Sequence, residues 1–479
     1  MTLLTDLKHK NILVLGAGIT GMSCVRYLSA QDLCFAVNDS RLNPFSSPYN
    51  KQTFTIDFPT ASLYLGQWQS ELIANADIIL LSPGINTAID EIAQYISDDC
   101  LVMGDVELFC QLNLERGVND DNKPIDILAL TGSNGKSTVV SLLDYLAKSL
   151  GINAQLGGNI GQPVLDILTE EKAVPELLIL ELSSFQLETL TSMQAIATSV
   201  LNVSDDHLDR HLTMENYTHI KQNIYQQGKL AITNRDDFAT HTPNKSQPIL
   251  SFGSDKPTEN HFGIIIDKNE AHLAFGEQRL IALAKLPLAG MHNALNYLTA
   301  LAFGYSAGWS LDKMINNLAG FAGLAHRCQR VTSQDNIAWI NDSKATNVGA
   351  TIAAINGLAQ TLSPHSKSTQ IKSPALILIA GGDGKGADFM PLAAPLAQYV
   401  SHLITLGKDG DGIAKLVANQ ANVTKVKTLI EAVQVANSCA SAGDVVLLSP
   451  ACASLDMFKS FSDRGDQFSA AVHQLTEVS

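Results

Sequence analysis

Two glycine-rich turns, each lying between an apolar run and a helical pattern, limit the folds open to this chain. The first is GAGITG (16–21), which follows the run NILVL and has the G-x-G-x-x-G order of a phosphate-binding turn. Such a turn is typical of the first unit of a doubly wound parallel sheet, where the helix N-terminus receives a phosphate. Asp39 ends a second apolar run about twenty residues further on, so the pattern by itself predicts NAD binding.

The second turn, TGSNGKST (131–138), is typical of a nucleotide triphosphate site. Its two glycines let successive backbone N–H groups face an anion, and Lys136 adds a positive charge at the β- and γ-phosphates. Ser137 or Thr138 offers a hydroxyl group to Mg²⁺. Leu130 stands where the longer phosphate-loop pattern has its first glycine. An ordinary glycine turn with a surface lysine is the alternative, and it leaves the Asn-Gly-Lys-Ser run unexplained.

Two polar groups follow later apolar runs. Glu181 lies in LLILEL, and NVSDDHLDRH (202–211) follows the next run. Because the carboxyl ends of parallel strands form the ligand-binding edge of such sheets, we predict a metal-binding role for Glu181. A solvated strand-end glutamate is the alternative. For His207 a metal or acid–base role and a structural role stay open, and His211 is predicted to be a surface residue.

Charge and cysteine content exclude some classes of protein. The 479 residues include 47 acids and 32 bases, a formal charge of −15, which argues against sequence-independent nucleic-acid binding. The seven cysteines form no C-x-x-C pair, so neither a disulfide nor a metal framework is expected. No apolar run reaches the roughly 18 residues of a membrane helix. We therefore expect a cytoplasmic protein without membrane insertion.

Alternating apolar runs and helical patterns predict an α/β protein with three domains. We place them at 1–117, 118–325 and 326–479. ERGVNDDNKP (115–124) is predicted to be a linker, and KSTQIKSP (367–374) a surface loop. The polar stretch 42–62 is expected to be a surface excursion.

Seven motifs occur in the order known from one family. They are TGSNGKST, GGNIG (157–161), ELSSFQLE (181–188), GMHNALN (290–296), AHR (325–327), NDSKATN (341–347) and GGDGKGADF (381–389). Together they resemble the Mur ligases of peptidoglycan synthesis, and they span most of the chain. SPACASLDMF (449–458) followed by KSFSDRG is similar to the D-glutamate-adding members.

The resemblance implies the fold and activity of each part. The expected architecture is an N-terminal Rossmann-like domain for a UDP-sugar, a central P-loop-type ATPase domain and a C-terminal Rossmann-like domain for the amino acid. The first glycine turn would then hold a UDP pyrophosphate rather than NAD. The implied reaction is ATP-dependent addition of D-glutamate to UDP-N-acetylmuramoyl-L-alanine through an acyl phosphate. The resemblance also implies two Mg²⁺ ions and a carbamylated lysine, and we expect a monomer.

The resemblance assigns site residues in four groups. For ATP these are Gly132, Ser133, Asn134, Gly135, Lys136, Ser137, Thr138, Asn293, Asn296, Arg327, Asp342 and Lys344. For the UDP-sugar they are Gly18, Ile19, Thr20, Asp39, Ser40, Arg41, Ser82, Gly84, Asn159 and His207. For D-glutamate they are Thr346, Lys385, Ser454 and Phe461, and for metal they are Ser137, Glu181, His207 and carbamylated Lys221. Lys136, Glu181, Asn159, His207 and Lys221 would act in catalysis.

Alternatives remain for single residues and for the whole chain. From the residues alone Lys221 is a helix-surface lysine, Asn293 and Asn296 are helix-face asparagines, and Ser454 is a helix N-cap. A different amino-acid-adding ligase of the same superfamily, a nucleotide-dependent switch and an NAD(P)-dependent oxidoreductase are the other candidate functions.

Overall fold

Two parallel sheets and a third, mostly parallel sheet follow one another along the chain, and a small antiparallel sheet lies between the second and the third. The structure is a computed structural model that describes residues 6–46, 48–119, 123–169, 174–268, 270–288, 290–331, 333, 336–362, 375–417 and 422–477. The predicted α/β class is confirmed. The predicted surface loop at 367–374 lies outside the described residues.

The first sheet has five parallel strands in the order β3-β2-β1-β4-β5. Its central strand is entirely buried because ILVL has no polar side chain to solvate. The strands are β1 (Ile12–Leu15), β2 (Phe35–Asp39), β3 (Ala61–Leu65), β4 (Ile78–Leu81) and β5 (Leu101–Met103). The helices are α1 (Ile19–Ala30), α2 (Lys51–Asp57), α3 (Ser70–Ala74), α4 (Asp90–Ala93) and α5 (Asp105–Asn119).

The stretch 42–62 is not the surface excursion that we predicted. It contains α2, whose N-terminus is capped by a capping box between Asn50 and Thr53, and its last residues form the start of β3. Phe54 is buried and its ring lies 5.6 Å from Phe45 and 5.3 Å from Phe58. Three aromatic side chains spaced through a polar sequence thus pack onto the first core, and the polar residues between them concealed this pattern.

The second sheet has six parallel strands in the order β11-β10-β9-β6-β8-β7. The strands are β6 (Asp126–Thr131), β7 (Ala154–Gly158), β8 (Leu177–Glu181), β9 (Ala195–Val200), β10 (Gly228–Asn234) and β11 (Ile249–Phe252). The helices are α6 (Lys136–Ser149), α7 (Ser184–Leu187), α8 (Leu208–His211), α9 (Met214–Gln222), α10 (Met291–Ser306) and α11 (Leu311–Leu318). The amphipathic helix α6 buries its apolar side against α10, and both cover one face of this sheet.

The antiparallel sheet was not predicted. It is formed by β12 (Phe262–Asp267), β13 (Glu270–Phe275) and β14 (Gln278–Ala282), and it packs beside α10. The predicted linker at 115–124 is wrong for its first half, because α5 continues to Asn119. Pro124 precedes the first strand of the second sheet.

The third sheet has the order β15-β16-β20-β17-β18-β19, in which only the edge strand β15 is antiparallel. The strands are β15 (Gln329–Val331), β16 (Ala338–Asn341), β17 (Leu376–Gly381), β18 (Val400–Leu406), β19 (Asn422–Lys425) and β20 (Val445–Leu448). The helices are α12 (Val348–Leu362), α13 (Ala393–Tyr399), α14 (Gly410–Lys415), α15 (Leu429–Cys439) and α16 (Phe461–Glu477). Among the described helices, none combines the length and hydropathy that a bilayer crossing requires.

Candidate active site

The loop between β6 and α6 is closed tightly on itself. Gly135 has φ +83°, and a Cβ atom there would lie 2.6 Å from the Asn296 side-chain oxygen, so glycine is required. Asn202 fixes the loop from the neighbouring strand end, since its side-chain oxygen accepts the Asn134 N–H at 2.8 Å. The Lys136 ammonium donates to the Gly132 and Ser133 carbonyls at 2.7 and 3.0 Å. These contacts hold the lysine beside backbone N–H groups that an anion can bind.

A cavity of about 320 Å³ lies beside this loop. Its walls come from the loop, from α10 and from the start of the third sheet. Eight of the twelve residues predicted for ATP line it: Asn134, Gly135, Thr138, Asn293, Asn296, Arg327, Asp342 and Lys344. The remaining four belong to the same loop and the start of its helix. Arg327 donates to the Ser137 hydroxyl at 2.8 Å, which joins the third segment of the chain to the loop.

Glu181 is the carboxylate at the centre of the charged groups. It is buried at the end of β8, so the solvated alternative is wrong. One carboxylate oxygen accepts from the Asn159 amide at 2.9 Å, while the other is buried without a hydrogen-bond partner. Its charge acts on Lys136, Arg327 and Lys344, and burial lowers the pKa of Lys344 to about 8. An unpaired buried carboxylate oxygen among cations fits a ligand for a metal ion that accompanies a phosphate.

No group of three or more His, Cys, Asp or Glu side chains in the described part of the chain is arranged to hold a metal ion. Mg²⁺ in phosphoryl-transfer sites is bound by one or two carboxylates together with substrate phosphates and water. Glu181 and the Ser137 hydroxyl supply the protein part of such a set. The residues present therefore fit a magnesium ion that arrives with its nucleotide.

Lys221 is buried beneath the phosphate loop, so the surface alternative is wrong. Its ammonium donates to the Gly132 carbonyl at 3.0 Å and the Thr131 hydroxyl at 3.2 Å, and it lies 4.7 Å from the centre of the Tyr217 ring. Burial lowers the pKa of this lysine well below its usual value, and the charge of Lys136 adds to the effect. The helix α9 has a polar sequence, and only the contacts of Lys221 with Thr131 and Gly132 reveal the burial.

His211 is also buried, and the prediction that it lies at the surface is wrong. Its side chain is 1% exposed, and its ring nitrogen lies 2.9 Å from the Ser184 hydroxyl. The ring stacks on Phe185. His207 has φ +54°, and its ring meets the same Phe185 edge-on with centroids 5.1 Å apart. His211 thus attaches the segment that carries His207 to the segment after Glu181.

A second cleft, of about 760 Å³, lies between the first and second sheets. Nine of the ten residues predicted for the UDP-sugar line it: Gly18, Ile19, Thr20, Asp39, Ser40, Arg41, Ser82, Gly84 and Asn159. His207 is not among the lining residues. The Asp39 carboxylate accepts from the Ala17 N–H at 2.9 Å and from the Arg41 guanidinium at 2.7 Å, so it fixes the glycine turn and orients Arg41. Although burial opposes it, hydrogen bonding to Arg41 lowers the pKa of Asp39.

The four residues predicted for D-glutamate lie on segments that hydrogen bonds hold together. Asp383 and Ala453 pair through both backbone N–H groups, which places the Lys385 loop beside the Ser454 segment. Ser343 lies three residues before Thr346, and its hydroxyl donates to the Phe461 carbonyl at 2.8 Å. Lys385 is exposed and Ser454 is buried. The N-cap alternative for Ser454 is wrong, because the next α-helix begins at Phe461.

Sequence reasoning missed several residues of these clefts. Trp68, Asp105 and Gln186 line the second cleft, and His292 and Cys328 line the first. Burial raises the pKa of Asp105 to about 6, and one of its carboxylate oxygens has no partner. Gln186 and His292 lie inside the motifs ELSSFQLE and GMHNALN, which were noted without these two residues being singled out. Asp105 comes two residues after the end of β5, and no motif marks Trp68 or Cys328.

Fold and clefts define a class of protein: a nucleotide-binding α/β enzyme with two clefts. The Asn159–Glu181 hydrogen bond links the cleft of the first glycine turn to the charged groups beside the second glycine loop. Three family models match the chain. They are "Mur ligase MurD-like, N-terminal domain" at residues 10–104, "Mur ligase middle domain" at 130–304 and "Mur ligase, glutamate ligase domain" at 326–452. The chain belongs to the Mur ligase family.

Two relatives in sequence support the assignment, and two solved structures share the fold. The UDP-N-acetylmuramoylalanine--D-glutamate ligase of Colwellia psychrerythraea is 57% identical over 479 residues, covering 98% of each chain. The protein of that name from Legionella pneumophila (strain Lens) is 40% identical and covers 98% of this chain and 100% of the relative. Among solved structures, the UDP-N-acetylmuramate-alanine ligase MurC of Thermotoga maritima has a TM-score of 0.58 at 17% identity, covering 98% of this chain and 100% of that one. MurF ligase from Thermotoga maritima has a TM-score of 0.59 at 15% identity, covering 99% of each chain.

Proposed function

We propose that this protein is an ATP-dependent ligase that joins D-glutamate to the L-alanine carboxylate of UDP-N-acetylmuramoyl-L-alanine. One observation carries the proposal: the hydrogen bond from Asn159 to Glu181. Asn159 lines the cleft of the first glycine turn, and Glu181 lies among the cations beside the phosphate loop. A carboxylate at the inner end of the UDP-sugar can therefore reach the γ-phosphate of ATP.

The reaction needs an activated carboxylate because a free carboxylate is a poor electrophile. A carboxylate oxygen of the L-alanine residue attacks the γ-phosphorus, and ADP leaves. The D-glutamate nitrogen then attacks the acyl carbon, inorganic phosphate leaves and the nitrogen loses a proton. His207 and solvent are the two candidate bases for that proton.

The protein must neutralise two anions that approach each other. Lys136, Arg327 and Lys344 supply the positive charge on the nucleotide side. Ser137 and Glu181 would hold one Mg²⁺, and His207 with carbamylated Lys221 would hold a second. When bound, Mg²⁺ neutralises charge on the transferring phosphate.

Carbamylation of Lys221 is part of the proposal. The amine must be uncharged to attack CO₂, and its burial beside Lys136 favours the uncharged form. We expect Lys221→Ala to be inactive and to regain activity with short carboxylic acids, while exposed Lys148→Ala stays active. A carbamate ¹³C signal after labelling with ¹³C-bicarbonate should appear in the wild type and vanish in Lys221→Ala. Equal signals in both proteins would disprove the modification at this residue.

The third segment would bind the amino acid. Lys385 and Thr346 would contact one carboxylate, and Ser454 with the backbone at Phe461 would contact the other. Ser454→Ala should raise KM for D-glutamate more than KM for ATP. An equal rise in both constants would remove Ser454 from the amino-acid site.

The proposed function is tested by phosphate release from ATP with UDP-N-acetylmuramoyl-L-alanine and a panel of amino acids of both hands. We expect release to require the UDP-sugar and D-glutamate together. Release with a different amino acid would favour another ligase of the family. Hydrolysis that needs no acceptor would favour a nucleotide-dependent switch, and NAD(P)H-dependent absorbance changes would favour an oxidoreductase.

The proposed substrates also bear on where the protein works and with what. Use of ATP and seven free cysteines favour the cytoplasm. Because the residues proposed for all three substrates belong to one chain, the proposed reaction requires only a monomer. No nucleic acid takes part in it.

A further inference from the structure

Arg464 lies near the start of α16 and is among the largest fully buried side chains, with 2% exposure. Its Nε donates to the Ser343 hydroxyl at 2.9 Å, and Nη2 donates to the Ser343 carbonyl at 2.8 Å. Both terminal nitrogens donate to the Cys452 carbonyl at 3.2 Å. Nη1 also lies 3.4 Å from the Ala453 carbonyl. One guanidinium thus ties two segments of the third sheet to its own helix.

These segments are the ones proposed to bind the amino acid. Cys452 and Ala453 directly precede Ser454. Ser343, which accepts from Arg464, donates in turn to the Phe461 carbonyl and lies three residues before Thr346. The backbone pairing of Asp383 with Ala453 extends the same network to the loop of Lys385. A single side chain therefore links the segments that carry the residues proposed to bind the amino acid.

The charge of Arg464 is not neutralised by an ion pair. All of its acceptors are carbonyl or hydroxyl groups, and none of the ion pairs among the described residues includes it. Burial lowers its pKa to about 10, although the carboxylates of Asp456 and Asp342 act on it from a distance and favour the charged form, so the group remains charged at neutral pH. Buried charges in proteins are normally paired, because desolvation without a counter-ion is costly. A neutral side chain that only linked these segments, which we call a brace, could make hydrogen bonds of the same kind without the cost of desolvating a charge.

We propose that Arg464 is a positioning and charge-selecting residue of the amino-acid site, whose unpaired guanidinium favours a substrate with a second carboxylate. It acts in two ways. It fixes the Ser454, Phe461 and Thr346 segments relative to one another, and its positive potential stabilises an anion bound beside them. The inference rests on the proposed D-glutamate ligase activity and names what in that site selects a dicarboxylate.

The test separates the brace from the charge. Arg464→Met removes both, Arg464→Lys keeps the charge, and Ser343→Ala weakens the brace but leaves the guanidinium in place. Arg330→Met, an exposed arginine on β15, is the matched control. For each protein we would measure kcat, KM for the three substrates, and the inhibition constants of D-glutamine and of a non-reacting dicarboxylate analogue of D-glutamate. Thermal unfolding would report whether each variant folds.

We expect Arg464→Met to raise KM for D-glutamate by about tenfold, which corresponds to roughly 1.4 kcal/mol of binding free energy, with KM for ATP unchanged. Discrimination between the dicarboxylate and D-glutamine should fall in Arg464→Met and persist in Arg464→Lys, Ser343→Ala and Arg330→Met. If Arg464→Met fails to fold, Arg464→Lys provides the test. Its ratio of the inhibition constants of D-glutamine and the dicarboxylate analogue must then stay at the wild-type value.

Equal weakening of the dicarboxylate and D-glutamine would overturn the charge-selecting role and leave only a brace. A uniform rise in all three KM values would do the same. Failure of the proposed function is recognised separately, since the wild-type protein would then release no phosphate with D-glutamate.

Discussion

The ion pair between Arg26 and Asp166 should fix the first sheet against the second. Arg26 lies on α1, and Asp166 lies 140 residues later, in a short 3₁₀ helix that follows β7. The guanidinium donates two parallel hydrogen bonds to the carboxylate, at 2.8 and 2.6 Å. The side chains are 29% and 11% exposed, and the guanidinium also lies 6.0 Å from the centre of the Tyr49 ring. The cleft proposed for the UDP-sugar takes its walls from the segments of both sheets.

The expected magnitude follows from this geometry. Two unit charges about 4 Å apart attract by roughly 4 kcal/mol at an effective dielectric constant of about 20. Desolvation of both groups and partial exposure offset about half of this attraction. We therefore expect a coupling free energy of about 2 kcal/mol between the two side chains, and a weaker affinity for the UDP-sugar when either is removed.

A double-mutant cycle measures this coupling. The proteins are wild type, Arg26→Met, Asp166→Asn and the double variant, each with Trp309 and Trp339 replaced by phenylalanine. Trp68 then reports urea unfolding of the first sheet through its fluorescence, and calorimetry gives the affinity for the UDP-sugar.

The exposed pair Lys10–Asp77 at the amino-terminal edge of the first sheet, with side chains 48% and 39% exposed, is the control that the same reporter can read. Its coupling should stay below about 0.5 kcal/mol. If the free-energy changes for Arg26→Met and Asp166→Asn simply add, within about 0.5 kcal/mol, the reasoning is refuted.

Three further predictions concern the phosphate loop, the aromatic cluster and acid stability. Lys136→Ala should nearly abolish turnover without changing calorimetric affinity for the UDP-sugar, and normal turnover would remove the loop lysine from catalysis. Phe54→Ala should reduce the free energy of unfolding by about 3–5 kcal/mol in urea titrations, because it leaves a cavity, whereas Phe238→Ala at the surface should change it by less than about 0.5 kcal/mol. Burial lowers the pKa of His292 to about 4, below the roughly 6.5 of an unfolded histidine. The unfolded chain therefore binds the proton first as the pH falls. The free energy of unfolding should decrease by up to roughly 3 kcal/mol between about pH 6.5 and pH 4. His292→Gln should lose this pH dependence, and an unchanged slope would contradict the assignment.

The fold was largely predictable because its signals are local. Buried parallel strands such as ILVL and LLILE are short apolar runs, and the glycine turns mark where each run ends. The antiparallel sheet was missed because its strands alternate exposed and buried residues weakly and lie between two stronger patterns. The helix α2 was missed because its buried aromatic residues are separated by polar ones.

The site was predictable where residues lie in motifs at strand ends. The positions of Asn293, Asn296 and Asp342 in one cavity follow from motifs on two separate segments of the chain. Conversely, Lys221 and His211 have the sequence surroundings of surface residues, and both are buried. A polar helix can be covered by a neighbour that no local pattern specifies.

The sequence by itself determined the parallel α/β architecture, the two phosphate turns and the order of the family motifs, because backbone conformation and strand burial depend on nearby residues. Only the tertiary structure decided which distant groups meet. Asn159 meets Glu181, Arg26 pairs with Asp166 and Arg464 reaches Ser343 across 121 residues. Such contacts depend on how whole sheets and helices pack. The residues involved are far apart in the sequence, so no local pattern indicates that they meet.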